Sequence, residues 1–119
     1  MKESTYQRQV LKYLRECGAY AEVISGGGFQ ASGIPDILAC FMGVWIGLEL
    51  KVGYNKPSPL QVAKIDMIRD AGGVGAVVWE SMGPIEDILN MIQLDMDNGT
   101  YPLEVLSVTH KYNTRKDSL

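Results

Sequence analysis

Apolar positions recur along this chain with two periods, and the changes from one to the other mark its elements. In residues 4–17, Val10, Leu11, Leu14 and Cys17 follow a helical spacing, and Gly18 is a natural stop. Ser4 and Gln7 have the spacing of a capping box at the start of that helix. Residues 20–24 read as a short strand, and residues 25–33, with four glycines, as a connection. Two apolar runs, residues 37–41 and 44–48, meet at Met42-Gly43 and predict a hairpin buried on both faces. After a loop at residues 52–57 comes the clearest helix start, with Ser58 as N-cap, Pro59 at N1 and Gln61 at N3. Leu60, Ala63, Met67, Ile68 and Ala71 form its expected buried stripe, and Gly72-Gly73 ends it. Residues 74–79 are an apolar strand. Pro84 opens a last helix with Ile85, Ile88, Leu89 and Ile92 on one face, and Asn98-Gly99 marks a turn. The order α-β-β-β-α-β-α predicts an α/β domain with a mixed central β-sheet flanked by helices. Its strand–helix–strand unit implies a parallel pair with a right-handed crossover.

Three charges interrupt the apolar hairpin: Asp36, Glu49 and Lys51. Buried charges are tolerated only when paired or bound to metal. With Met42-Gly43 as a two-residue turn, or a four-residue turn on the same centre, Asp36 falls opposite Glu49. Lys51 then shares their face. A three-residue turn would put the two acids on opposite faces, and a methionine at φ > 0 tells against a two-residue type I′ turn. Directly opposed residues hold their Cβ atoms roughly 4.5–5.5 Å apart. Two carboxylates that close repel unless positive charge stands between them, and a divalent cation and Lys51 both supply it. The competing reading is a surface hairpin whose Glu–Lys pair serves solubility, for which the apolar flanks leave little polar face. Pro35 biases Ile34 toward extended geometry and sets Asp36 at the start of the strand.

Composition narrows the chemistry. At 119 residues, 46% hydrophobic and 21% charged, the chain reads as one globular domain over residues 1–108, with a polar basic tail at 109–119. Cys17 and Cys40 fall on apolar faces and are expected to be buried, reduced thiols. With one histidine, His110, a structural zinc site is not expected. Carboxylate oxygens suit Mg²⁺ or Mn²⁺ instead. The net charge of −3 argues against a broad nucleic-acid footprint, yet Lys51, Lys56 and Lys64 follow the candidate site, and Lys111, Arg115 and Lys116 gather in the tail. The glycine-rich connection matches no phosphate-binding motif, though it would let a phosphate backbone approach closely. No apolar run is long enough to span a membrane and the first residues lack a signal-peptide stretch, so the expected location is cytoplasmic. Two residues carry double readings. Glu3 is either a first-turn acid favoured by the helix dipole or an acid reaching the site. Gln61 is explained as a capping-box partner.

The motif Ile34-Pro35-Asp36 followed by Glu49-Leu50-Lys51 resembles the PD-(D/E)xK nuclease signature. With Gly33 before it and Ser58-Pro-Leu-Gln61 after it, the chain from about residue 3 to 79 resembles the VRR-NUC (virus-type replication-repair nuclease) domain. The resemblance implies a restriction-endonuclease-like core and Mg²⁺- or Mn²⁺-dependent hydrolysis of phosphodiester bonds in DNA. It implies Asp36 and Glu49 as metal ligands, the Leu50 carbonyl as a third and Glu3 as a fourth. It also implies Lys51 as the catalytic cation and a place for Gln61 near the active site. Relatives that stand alone at this size resemble Holliday-junction resolvases, which implies branched DNA as substrate and a homodimer. Residues 85–92 and 103–108 are candidate dimer surfaces. A non-catalytic DNA-binding module on the same fold, or an oligomeric structural protein, are the alternatives.

Overall fold

A computed structural model describes residues 1–24 and 32–99. Its elements are α1 (Glu3–Glu16), β1 (Tyr20–Val23), β2 (Ile37–Phe41), β3 (Val44–Lys51), α2 (Pro59–Asp70), β4 (Val74–Trp79) and α3 (Gly83–Asp97), the order expected from the hydrophobic pattern. Most of the glycine-rich connection, the segment at 103–108 and the basic tail with His110 lie outside the described residues, as does the domain boundary at 108. Among the described residues no helix is long and apolar enough to cross a membrane.

The four strands lie in the order β1-β2-β3-β4, antiparallel for the first two pairings and parallel for the third. The β2–β3 register pairs Phe41 with Val44 and Ile37 with Leu48, so Met42-Gly43 is a two-residue turn. Met42 has φ +52° and Gly43 φ +81°. The left-handed pair matches the twist of the flanking strands, so the hairpin accepts an unfavourable methionine. Pairing along two apolar strands outweighs one strained turn residue.

Alternation gives the sheet two faces. On one, Ile37, Ala39, Phe41, Ile46, Leu48 and Leu50 join Val74, Ala76 and Val78 in a core shared with α1 and α3. Tyr6, Val10 and Leu14 supply the α1 stripe; Ile85, Ile88, Leu89 and Ile92 supply that of α3. Residues 85–92 therefore present their apolar side to the core rather than to a second subunit. On the other face, Ile65 and Ile68 of α2 pack with Val77 and Trp79. Gly47 and its register partner Gly75 make the floor beneath α2. A Cβ at Gly75 would lie 2.8 Å from the Ile65 carbonyl oxygen, and one at Gly47 2.5 Å from Ile68 Cδ1. The helix thus rests on bare backbone.

That floor corrects the expected α2 stripe. Ile65 and Ile68 are buried, whereas Leu60, Ala63, Met67 and Ala71 are exposed, Met67 by 59%. The helix is rotated so that its β-branched residues meet the glycines. Two smaller expectations also change. The Ser4–Gln7 capping box does not form, because α1 already begins at Glu3 and the Lys2 carbonyl accepts from the N–H groups of Thr5 and Tyr6. Both cysteines are free but exposed. Cys17 is the C-cap of α1, and Cys40 sits across from the half-exposed Trp45 near the hairpin turn.

Candidate active site

One step past the last ladder pair, Ile37 with Leu48, the chain brings Asp36 opposite Glu49. Asp36 is 6% exposed and Glu49 1%. Asp36 is fixed at both ends: its backbone carbonyl accepts from the Ile24 N–H at 2.7 Å, and its Oδ2 accepts from the Leu50 N–H at 2.8 Å. The second bond explains the proline before it. In a two-residue hairpin the closing pair is hydrogen-bonded and every second pair after it is too. Continuing from Phe41–Val44 through Ile37–Leu48 would place Leu50 opposite residue 35. Pro35 has no N–H to offer the Leu50 carbonyl. The Asp36 carboxylate takes the Leu50 N–H, and the Leu50 carbonyl, which points to the same strand edge as its N–H, is left on the side of Asp36.

Glu49 is paired on one oxygen only. Lys51 Nζ lies 2.9 Å from Glu49 Oε2, with the lysine side chain 12% exposed. Glu49 Oε1 is buried with no hydrogen-bond partner. Burial pushes the Glu49 carboxyl up to about 7. The Lys51 hydrogen bond and charge pull against that, and the charges of Asp36 and Glu3 add to it. A buried carboxylate with one oxygen unpartnered, beside a second buried acid, is an expensive arrangement for a core. Such clusters concentrate at functional sites.

The structure thus brings Asp36, Glu49, Lys51 and the Leu50 backbone together. Glu3, in the first turn of α1, stands near enough for its charge to act on Glu49. Among the described residues, however, no three His, Cys, Asp or Glu side chains converge as a ready-made cage. Gln61 forms the reciprocal capping box with Ser58: its Oε1 accepts from the Ser58 N–H at 2.8 Å and its N–H donates to Ser58 Oγ at 3.1 Å. The oxygen donors of Asp36, Glu49 and Leu50 are hard ligands of the kind Mg²⁺ and Mn²⁺ prefer. The orphaned Glu49 Oε1 is the atom such an ion would satisfy, so the residues present fit the ion.

Sequence reasoning did not single out Glu80 or Trp79. Glu80 follows β4 with φ +37°, and its Oε1 accepts from the Gly53 N–H. Trp79 Nε1 donates to the Asn55 carbonyl at 2.9 Å. With Gly53 and Tyr54 they line a cavity of about 370 Å³. The one sequence cue was position, since Trp79 ends the strand that pairs with Lys51.

No family model and no curated protein matches this sequence. Solved structures match its fold. A structure described as a VRR_NUC domain aligns with TM-score 0.59 at 24% identity, covering 74% of this chain and 94% of that one. Archaeoglobus fulgidus Hjc, a Holliday junction resolvase from an archaeal hyperthermophile, aligns with TM-score 0.50 at 22% identity, covering 64% of this chain and 66% of that one. The fold is restriction-endonuclease-like: a mixed four-stranded sheet with helices on both faces.

Proposed function

We propose that this chain, which has the fold of a VRR-NUC domain, hydrolyses phosphodiester bonds in DNA at Asp36, Glu49 and Lys51, with Mg²⁺ or Mn²⁺ as cofactor. The observation that carries the reading is the buried Glu49, with Oε2 on Lys51, Oε1 unpartnered and Asp36 across from it. Asp36, Glu49 and the Leu50 carbonyl would hold the ion, with Glu3 adding negative charge at the rim. When bound, a divalent ion supplies the positive charge that lowers the pKa of a water and offsets charge growing on the scissile phosphate.

The protein's own groups do the rest. Asp36 is held rigid by Ile24 and Leu50, so its carboxylate needs no reordering. Lys51, paired with Glu49 in this structure, would orient water or stabilise the transition state where a cation takes over the Glu49 charge. The capping box engages the Gln61 oxygen and leaves its amide nitrogen for the substrate.

The substrate reading is branched DNA, cut by a homodimer. A small acidic protein lacks the basic surface that holds arbitrary duplex at physiological salt. Two centres in a symmetric dimer would instead gain from engaging two arms at once. With the α3 stripe used in the core, the apolar hollow of about 290 Å³ lined by Leu38, Trp45 and Met67 is the surface such a dimer would cover. Labelled four-way junction, flap, duplex and single-stranded DNA, each with Mg²⁺, Mn²⁺ or EDTA, test the proposal. Metal-dependent cutting with junctions preferred is expected. A monomer that cuts linear duplex equally well would reject the junction preference, and binding without cutting would leave a DNA-binding module.

A further inference from the structure

Glu80 lies outside the proposed centre, yet several features tie it to Lys51. It directly follows Trp79, the register partner of Lys51 in β4. Its backbone N–H donates to the Lys51 carbonyl at 3.1 Å. Its carboxylate accepts from the N–H of Gly53, two residues further along. Trp79 adds a third tie, from its indole N–H to the Asn55 carbonyl. The segment leaving β3 is therefore fastened to the end of β4 at residues 51, 53 and 55. Tyr54, between two of these ties, is 87% exposed, so hydrogen bonds rather than burial hold this segment.

The backbone at Glu80 adds a separate observation. Its φ of +37° is a conformation that side-chain-bearing residues rarely adopt. A glycine would fit it without strain but would carry no carboxylate. Strained backbone held by surrounding bonds clusters where geometry must be exact for function.

We infer that Glu80 is a positioning residue for the proposed centre: its carboxylate on the Gly53 amide, added to its backbone bond to the Lys51 carbonyl, fixes the end of β3 and keeps the Lys51 ammonium beside Glu49. The inference rests on the phosphodiesterase reading for its consequence in catalysis, though not for its structural content. Lys51 is the last residue of β3. Its long side chain can stay in one place only if the backbone at its base does. Releasing Gly53 would loosen the chain directly after that base, leaving it to the backbone bond from Glu80 and the Trp79 tie, while Asp36 and Glu49 stay where they are.

Full-length Glu80→Ala, Glu80→Gln and Glu80→Gly proteins test this by three readouts. These are amide exchange at Gly53, the Lys51 ammonium signal in ¹⁵N-lysine-labelled protein, and kcat with KM under Mn²⁺. In Glu80→Ala, Gly53 should exchange faster, the Lys51 signal should broaden or vanish, and kcat should fall about tenfold with KM little changed, as expected for a misplaced group. Glu80→Gln keeps an acceptor for Gly53 and should restore all three. Glu80→Gly should melt at or above the wild type yet share the catalytic loss, which separates positioning from stability. An unchanged Lys51 signal in Glu80→Ala, or catalytic losses that simply follow stability across the three variants, would overturn the inference. If no protein, wild type included, cuts DNA, the phosphodiesterase reading falls, while the amide and ammonium readouts still decide whether Glu80 positions Lys51.

Discussion

Without metal, the wild-type protein should lose about 3 kcal/mol of stability between about pH 5 and 8 that a Glu49→Gln variant keeps. Glu49 is the cause. Burial raises its carboxyl from the ordinary 4.5 to about 7, with Asp36 and Glu3 adding repulsion and Lys51 opposing it. Between those values the folded protein holds a proton that the unfolded chain has released. The stability is therefore full below about 4.5 and is lost as pH rises through about 7. Glutamine has no proton to lose, so the slope over this window should flatten in the variant. Denaturant unfolding of both proteins in EDTA, at half-unit pH steps, measures the difference. Parallel curves would mean that Glu49 is not the buried, strained acid described here.

Replacing Lys51 by alanine should cost about 10²-fold or more in DNA cleavage, the scale for removing one transition-state donor. The fold should survive, because Glu49 can remain neutral by keeping its proton once its partner is gone. The Lys51 hydrogen bond and charge are what pull the Glu49 carboxyl down, so their loss moves it further up. Cation binding near neutral pH should then persist but become more proton-sensitive. Single-turnover cleavage under Mn²⁺ separates the two effects, because the chemical step is read with the metal saturating. If Lys51→Ala cuts at the wild-type rate, the lysine serves only to pair with Glu49.

Much of this was legible because the relevant residues are close in sequence or constrained by alternation. The apolar runs on both sides of Met42-Gly43 made the hairpin legible, but the facing of Asp36 and Glu49 hung on the turn length, which the two-residue turn decides. The start of α2 was legible because Ser58, Pro59 and Gln61 act within a single turn. The face of α2 was not. Which side of that helix is buried depends on Gly47 and Gly75 in the sheet beneath it and on Gly73 just before β4, and a helical stripe read alone cannot register an absence of side chains. Glu80 escaped for a related reason. Its partner Gly53 is 27 positions away, and an exposed glutamate after a strand carries no local mark of the bond it makes. Cys17 was misread because helical spacing places it on the apolar stripe, whereas the helix ends there and leaves it in solvent.

The metal centre itself is tested most directly by calorimetric titration of Mn²⁺ into the wild type and into Asp36→Asn and Glu49→Gln, at pH 6 and pH 8. Ligands must be deprotonated to bind, so a cation that takes Glu49 should displace its proton. The account predicts saturable binding by the wild type that is tighter at pH 8, with proton release at pH 6 seen as a dependence of the heat on buffer ionisation. It predicts loss of that binding in both variants. Equal Mn²⁺ binding by all three proteins, or wild-type binding with no proton release at pH 6, would contradict it.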